Sequence, residues 1–188
     1  FDKTSVIFRV DGNLQVISAT QSEFIKGKYL IPSLSGYTGY IRIKSDVVAG
    51  VRWLSGSPTN VIKQEANFVT NGWLSDALIY DWTSDTGFQV ELEPEKSRLT
   101  LFMPEIDLTG SNIFSPLIVE RSNTKIIGYR VSGGLLSPYT MADVRLCSGV
   151  TFDGIDIPQS GTPTDTAYLM TLVATYNVNV SGVNNRYG

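Results

Sequence analysis

Apolar residues in this chain alternate with polar ones at a period of two, which favours β-strands over helices. Ile41 and Ile43 alternate with Arg42 and Lys44, and residues 88–93 repeat the pattern. In a strand, neighbouring side chains point to opposite faces, so the two isoleucines are expected to face a core and the two cations to face outward. The sequence therefore predicts an all-β fold.

The predicted strands are short and are separated by segments rich in Gly, Pro and Ser. Asp11-Gly12-Asn13 is typical of the turn of a hairpin between the first two strands, and residues 59–86 are expected to be irregular. No internal repeat is evident, and the pattern is typical of a β-sandwich, a Greek key or a jelly roll. A length of 188 residues fits one domain over residues 1–188. The predicted strands cover residues 6–10, 14–17, 39–44, 51–54, 88–92, 98–102, 126–131, 143–152 and 168–180.

The composition argues against several classes of enzyme. The chain has no histidine, which removes the commonest general base and the commonest metal ligand. Its one cysteine, Cys147, cannot form an internal disulfide and is expected to be a small buried apolar residue. No nucleophile-elbow or phosphate-loop motif is present. We therefore expect a protein that is not an enzyme and that uses no cofactor.

Charge and hydropathy limit the partners. The net charge is −3 without a block of like charge, so any contact with RNA is expected to be weak and non-specific. No apolar run reaches the length of a membrane span. The chain begins with Phe1 and shows no signal peptide, which indicates cleavage from a precursor or a trimmed end. Strand alternation leaves six basic residues facing outward or at strand edges, and one group of them would face RNA if RNA is bound. These residues are Arg42, Lys44, Arg52, Lys125, Arg130 and Arg145.

Several stretches, in chain order, resemble the jelly-roll capsid proteins of picorna-like viruses. Ser5–Leu14 is similar to the opening strand and turn of the small coat protein of plant viruses with processed capsid polyproteins. Gly36–Lys44 and Arg98–Glu105 resemble two further strands, and Gly128–Val131, Ser137-Pro138 and Asp143–Pro158 resemble the final strand pair. Within this group the chain most resembles the secovirids with three separate coat proteins, such as the cheraviruses.

This resemblance implies an eight-stranded antiparallel jelly-roll sandwich, with residues 159–188 as a C-terminal extension. It implies a structural subunit of a small icosahedral RNA virus capsid. The partners would be sister capsid proteins and further copies of the chain, with the encapsidated RNA touched at most weakly. The protein would be made in the host cytoplasm by cleavage of a polyprotein, and it would reside in the virion.

Candidate site residues are few. Exposed aromatic residues can anchor interfaces. The expected interface residues are Trp73, Tyr80, Trp82 and Tyr187. For the first three, which are close together in the sequence, the alternative is a place in the core. Asp153 and Asp156 are weak candidates for calcium, because Ca²⁺ needs six to eight oxygens and this segment offers few. Glu91 and Glu93 share a strand face and are expected to lie on a solvated edge or at the rim of a subunit contact, while a catalytic carboxylate pair is disfavoured.

Two other functions stay open. The chain could be an exported β-sandwich adhesin or carbohydrate-binding module that binds a glycan through Trp53, Trp73 or Trp82. In a eukaryotic secretory route that protein would use the glycosylation triplet at Asn179. An enzyme is the third possibility, which the missing histidine and motifs disfavour. A fold does not fix a function, so the sequence leaves these alternatives in place.

Overall fold

The structure is a computed structural model, and the strands in it confirm the all-β prediction. The described residues contain seventeen strands and two 3-10 helices, Gln21–Glu23 and Pro32–Leu34. The structure describes residues 7–54, 57–108, 115–132, 140–157 and 168–185. The strands are β1 (Phe8–Val10), β2 (Gln15–Ile17), β3 (Thr38–Leu54), β4 (Ser57–Thr70), β5 (Trp73–Leu74), β6 (Gln89–Pro94), β7 (Leu99–Phe102), β8 (Glu105–Asp107), β9 (Leu117–Val119), β10 (Thr124–Ile127), β11 (Arg130–Ser132), β12 (Thr140–Arg145), β13 (Ser148–Asp153), β14 (Asp156–Ile157), β15 (Tyr168–Val173), β16 (Tyr176–Ser181) and β17 (Asn184–Asn185).

These strands form two compact units. The coil unit contains the chain up to residue 12 and from residue 96 onward, and the inserted unit is Asn13–Glu95. In the chain, the inserted unit therefore interrupts the coil unit between β1 and β7. No domain boundary is evident in the sequence, and the expectation of a single domain over residues 1–188 stays a prediction.

The coil unit is a three-sided parallel β-helix. Its three sheets have the strand orders β1-β9-β12-β15, β7-β10-β13-β16 and β8-β11-β14-β17. Neighbours in each sheet are parallel, as when Leu101 pairs with Ile126, and Phe152 pairs with Ile126 on one side and Val180 on the other. The chain thus visits the three sheets in turn and completes four turns, each of which lies directly on the turn before it.

The interior of the coil unit is apolar. In every turn, apolar side chains point into the interior. Equivalent side chains of successive turns pack on one another and form columns. Burying such a column removes apolar surface from water and supplies the main stabilising term of the unit. The fully buried members of this core include Leu117, Ile126, Val144, Val150 and Phe152.

The corners of the coil unit repeat as columns of glycine and asparagine. Gly128, Gly154 and Gly182 stand at one corner on successive turns, all with positive φ. A Cβ placed on Gly182 would lie 3.0 Å from the backbone nitrogen of Gly154. Glycine meets both demands, because it accepts a positive φ and leaves room for the close backbone approach. A second corner uses Asn123 and Asn177, which also have positive φ.

The antiparallel jelly roll expected from the sequence is therefore wrong for this unit. All strand pairs among its described residues are parallel, whereas a jelly roll is built from antiparallel ones. Residues 168–185, expected in a C-terminal extension, form its fourth turn. The hairpin expected at Asp11-Gly12-Asn13 is absent, because β1 pairs with β9 and β2 pairs with β6.

The inserted unit is built on a five-stranded antiparallel sheet with the order β2-β6-β3-β4-β5. Ile41 and Ile43 are fully buried, as predicted, and Arg42 and Lys44 point to the opposite face. Residues 59–70, expected to be irregular, lie in β4. The core of this unit also contains Phe24, Ile31, Leu34, Val69, Leu74, Leu78, Trp82, Val90 and Leu92.

The hairpin of β3 and β4 continues beyond the rest of this sheet. Strand β6 pairs with β3 only over Gly39–Lys44, so residues 46–54 and 57–61 form a two-stranded ribbon. Irregular register after Lys44 marks where the ribbon begins. The ribbon is exposed, and its apolar side chains include Val51 at 59% exposure. The backbone of Trp53 lies in this ribbon, but its side chain lies outside the described residues.

Replacing Gly39 by alanine is expected to lower the free energy of unfolding by about 1 to 3 kcal/mol, as overpacking does. Its φ is +152°, and a Cβ would lie 2.2 Å from the backbone oxygen of Glu93 on the adjacent strand. Urea denaturation would measure the loss. Gly50→Ala is the control, because a Cβ there has nothing within 4 Å. Equal stability of the two variants would contradict the close approach at Gly39.

Candidate functional site

One edge of the inserted unit carries an exposed apolar strip, which we define as Tyr29, Leu30, Trp73 and Ile79. Leu30 and Trp73 are paired in an antiparallel bridge, and the N–H of Leu74 donates to the carbonyl oxygen of Tyr29 at 2.7 Å. Trp73 is 57% exposed and Ile79 is 64% exposed. Backbone pairing therefore holds Leu30 and Trp73 side by side with both side chains exposed, and exposed large apolar side chains are candidates for a binding surface.

Beside this strip, three polar side chains of β4 form what we call the polar ladder: Lys63, Glu65 and Asn67. They alternate along β4, so they share one face, and that face is buried. Each of them bonds to the backbone of the loop 75–86. The side-chain oxygen of Asn67 accepts the N–H of Asp76 at 3.2 Å while its amide donates to the carbonyl oxygen of that residue at 2.8 Å. The ladder thus fixes a loop that has no regular secondary structure of its own.

Lys63 is the most constrained member of the polar ladder. Its Nζ donates to the carbonyl oxygen of Asp81 and forms an ion pair with Asp85 at 2.8 Å. The same nitrogen lies 4.5 Å from the centroid of the Trp82 ring, a distance suited to a cation–π contact. Ser45 Oγ also donates to Asp85, at 2.9 Å. A nearly buried cation is therefore matched by one carboxylate, one carbonyl oxygen and two aromatic rings, since the Tyr80 ring centroid also lies 5.5 Å from this nitrogen.

Burial raises the pKa of the Glu65 carboxyl above its ordinary value of 4.5, although the N–H of Ile79, which donates at 2.9 Å, opposes the shift. The folded protein then holds this proton more tightly than the unfolded chain does. Stability therefore falls as pH rises from the ordinary pKa through the raised one, and it is constant above that window.

Replacing Glu65 by glutamine is expected to remove this decline, since glutamine does not ionise and can still accept the N–H of Ile79. Urea denaturation in steps from about pH 4 to about pH 7, around the ordinary glutamate pKa, would compare the two proteins. The exposed Glu95→Gln variant is the control and is expected to follow the parent curve. A Glu65→Gln curve parallel to the parent would contradict the raised pKa.

A cleft of about 520 Å³ opens elsewhere in the inserted unit. It lies between the segment that follows β2 and the segment that precedes β3. Its wall is rigid, because the N–H of Thr20 donates to Ser33 Oγ at 3.0 Å and the N–H of Gly36 donates to Asn71 Oδ1 at 2.9 Å. We call it the hydroxyl cleft, because its lining includes the hydroxyl groups of Ser18, Thr20, Ser33, Ser35 and Tyr37.

The predicted interface residues fall in different places. Trp73 is the most exposed of them and lies in the apolar strip, and Tyr80 is 38% exposed. Trp82 is fully buried in the core of the inserted unit, so its expected place at an interface is corrected to a place in the core. Tyr187 lies outside the described residues. The apolar partners of Trp73 were not recognised in the sequence, because Leu30 is far from it along the chain.

The two aspartates considered for calcium are each paired with a cation. Asp153 bonds to Lys125 at 2.7 Å, and Asp156 bonds to Arg130 at 2.7 Å. The pKa of the Asp153 carboxyl lies below its ordinary value, mainly because the carboxylate accepts a hydrogen bond from Lys125. Among the described residues no group of three or more Cys, Asp or Glu side chains could hold a metal ion. In this structure, both aspartates therefore form ion pairs between neighbouring strands.

The cations expected to face outward are also mostly paired with carboxylates. Arg42 and Lys44 both contact Glu91, at 2.5 Å and 2.7 Å, and Arg145 contacts Asp143 at 2.5 Å. Glu91 and Glu93 are buried rather than on a solvated edge, because β6 runs between β2 and β3 inside the sheet. Pairing of this kind neutralises the charge that would attract a phosphate backbone.

Comparison with known proteins gives a likeness in fold. No family model and no curated protein matches the sequence. Among solved structures, the tailspike gp61 of Pseudomonas phage phi297 matches with a TM-score of 0.60 at 14% sequence identity. The match covers 93% of this chain and 32% of the tailspike chain. In fold, the chain is similar to part of a phage tailspike.

This tailspike-like fold includes both units, since the match covers nearly the whole chain. The chain spans about a third of the length of the tailspike, and at 14% identity the likeness concerns the fold alone. Within the described residues, no helix has the length and apolar character needed to cross a membrane.

Proposed function

We propose that this chain is a non-enzymatic structural and binding segment of a viral host-attachment spike. The observation that carries the proposal is the four-turn parallel coil interrupted in its first turn by an antiparallel unit, a fold similar to part of a phage tailspike. In this proposal the coil unit is the rigid scaffold, and the inserted unit carries the binding surfaces.

The coil unit suits a scaffold because its strands are bonded to neighbours on both sides in the two inner turns. Backbone hydrogen bonds between successive turns and a close-packed column of apolar residues resist bending and shear. The Gly128 and Gly154 corner further fixes the path of each turn. Rigid elements of this type hold a binding surface in a defined orientation better than loops do.

The inserted unit suits recognition because it leaves large side chains exposed while fixing the backbone beneath them. The apolar strip offers Trp73 and Tyr29, and the polar ladder holds the loop that carries Ile79. Exposed aromatic residues on a fixed backbone lose little conformational entropy on binding, and tryptophan and tyrosine are over-represented among residues that dominate binding energy. A surface of this kind supports attachment to a receptor.

An icosahedral capsid subunit is the competing proposal, and it depends on the jelly roll that the coil unit does not form. Immunogold electron microscopy of native particles with antibodies against this chain separates the two. Label confined to spikes or a tail would support the present proposal. Label spread over the shell would overturn it in favour of a capsid subunit, and a chain recovered only as a particle-free monomer would overturn both.

Binding to host cells tests the role of the apolar strip. Labelled chain is expected to bind cells, and Trp73→Ala is expected to weaken that binding by a factor of ten or more, as about 2 kcal/mol at a dominant interface residue implies. Phe102→Ala is the matched control, because Phe102 is an exposed aromatic residue of the coil unit. Equal losses in the two variants would contradict the assignment to the strip.

A further inference from the structure

We infer that the side chains of Lys63 and Asp85 join in an isopeptide bond, an amide that ties β4 covalently to the loop 75–86. The ion pair described above is the state that precedes this step. Such a bond forms within the inserted unit whether or not the chain belongs to a spike. Three features support it: the contact of the two groups, their exclusion from water and a neighbouring carboxyl group.

The first feature is the contact between the amine nitrogen and the carboxyl group. Lys63 Nζ lies 2.8 Å from Asp85 Oδ2, and Ser45 Oγ donates to Asp85 Oδ2 at 2.9 Å. The backbone of Asp85 is held as well, because Gln21 Nε2 donates to its carbonyl oxygen at 2.7 Å. Holding two reacting groups in place raises their effective concentration, to roughly 10⁵–10⁸ M in well-oriented cases. This advantage offsets the weak reactivity of a carboxyl group toward an amine.

The second feature is the exclusion of water. The side chains of Lys63 and Asp85 are only 11% and 10% exposed, and the ring centroids of Tyr80 and Trp82 lie 5.5 Å and 4.5 Å from the lysine nitrogen. Burial among aromatic rings penalises a charged pair, so moving a proton from the ammonium to the carboxylate costs less here than in water. The same burial keeps out the bulk water that would hydrolyse an amide.

The third feature is a neighbouring carboxyl group that can relay a proton. Glu65 stands two residues beyond Lys63 on the same face of β4, so the two side chains begin about 7 Å apart. The Glu65 carboxyl is close enough to Lys63 for an electrostatic interaction, and burial raises its pKa. It therefore stays protonated to a higher pH than an exposed glutamate does, and it can donate and accept a proton in turn.

The step is a condensation that releases water. A proton passes from Lys63 Nζ to the Asp85 carboxylate, which leaves a neutral amine and a neutral acid. The nitrogen lone pair attacks Asp85 Cγ, and a carbon–nitrogen bond forms while one carbon–oxygen bond breaks. The departing hydroxyl takes one proton from the nitrogen, relayed by Glu65, and leaves as water. No atom is oxidised or reduced, and no further reactant is needed.

Within the inserted unit the bond acts as a staple. It closes a covalent ring over residues 63–85 and, as a disulfide does, restrains the unfolded chain. The loop that carries Ile79 of the apolar strip is then held to β4 even when its hydrogen bonds break.

Mass spectrometry of the whole chain, incubated in its folded state and then unfolded, tests for the bond. The chain is expected to become lighter by the mass of one water during incubation at neutral pH. Digestion is expected to yield a branched peptide that joins the segments around residues 63 and 85. The pair of Lys125 and Asp153 is the internal control, because its atoms lie 2.7 Å apart but its side chains are 26% and 46% exposed. No branched peptide is expected there.

Two variants separate the bond from the contact that precedes it. In Lys63→Arg the positive charge remains, but a guanidinium group stays protonated and does not attack a carboxyl group, so the chain is expected to keep the full mass of its sequence. In Glu65→Gln the bond is expected to form at least about ten times more slowly, because general acid–base assistance commonly contributes about a hundredfold or more. Circular dichroism spectra that match the parent would show that both variants are folded.

Three results would overturn the inference. The first is a parent chain that keeps the full mass of its sequence throughout the incubation. The second is a loss of water without a branched peptide, which would show that an aspartate has cyclised on its own backbone. The third is a loss of water that persists in Lys63→Arg. An unchanged rate in Glu65→Gln would overturn the role given to Glu65.

Discussion

Truncating Phe152 to alanine is expected to lower the free energy of unfolding by about 3 to 5 kcal/mol, the usual cost of removing a large aromatic side chain from a core. Phe152 is 0% exposed and stands in the column that joins Leu101, Ile126 and Val180 across four turns. Its ring centroid lies 6.4 Å from that of Tyr129. Strand β13, which carries Phe152, is paired with β10 on one side and with β16 on the other, so the backbone cannot move far enough to close the cavity that the change leaves.

Urea denaturation of the whole chain, monitored by circular dichroism, would measure this loss. Phe102→Ala is the control, because it deletes the same atoms from a side chain that is 78% exposed on β7. That variant is expected to remain within about 0.5 kcal/mol of the parent, as surface substitutions usually do. If the two variants lost equal free energy of unfolding, the assignment of Phe152 to the core and of Phe102 to the surface would be wrong.

Replacing Lys63 by methionine is expected to cost about 3 to 5 kcal/mol, as removing one partner of a buried ion pair does. The side chains of Lys63 and Asp85 are only 11% and 10% exposed. Methionine preserves the length of the side chain but leaves the Asp85 carboxylate with the Ser45 hydroxyl as its remaining described side-chain donor. It also releases the carbonyl oxygen of Asp81, so the loop 75–86 loses its contact with one of the three residues of the polar ladder.

A double variant distinguishes the unpaired charge from a loss of packing. In Lys63→Met with Asp85→Asn, the carboxylate is gone, and about 1 to 3 kcal/mol of the loss is expected to return as the coupling energy of the pair. Lys125→Met is the control, since its partner Asp153 is largely in water and exposed pairs contribute at most about 1 kcal/mol. Additive losses at Lys63 and Asp85 would contradict their coupling.

Several strands were predictable because the alternation of apolar and polar residues is a local property. The pattern at Ile41 and Ile43 correctly placed both side chains in a core. The pattern over residues 88–92 correctly indicated a strand, since β6 begins at Gln89. A buried sheet face imposes this period on the residues that form it. The all-β class followed from such segments alone.

The pairing of the strands was not predictable from the same signal. A period of two describes parallel and antiparallel strands equally, so it was compatible with a jelly roll and with a coil. The feature that distinguishes a coil from a jelly roll is the corner column of Gly128, Gly154 and Gly182. These glycines are recognised as equivalent only when successive turns are aligned with one another. Unequal connections between turns hide that repeat in the linear sequence.

The candidate site was predictable only in part. Trp73, predicted as an interface residue, is exposed, whereas Trp82 received the same interpretation and lies in the core. The polar ladder was missed altogether. Lys63 and Glu65 stand in a segment expected to be irregular, and charged residues that alternate along a strand normally face water.

The order of residue types along the chain was enough to indicate that it is built of strands and that Ile41 and Ile43 are buried. These properties depend on residue type and on neighbours close in the chain. Only the tertiary structure decided that the strands coil in parallel, that Lys63 is buried, and that Leu30 lies beside Trp73. Such properties depend on partners far apart in the chain, because the loop 75–86 satisfies Lys63 and successive turns satisfy one another.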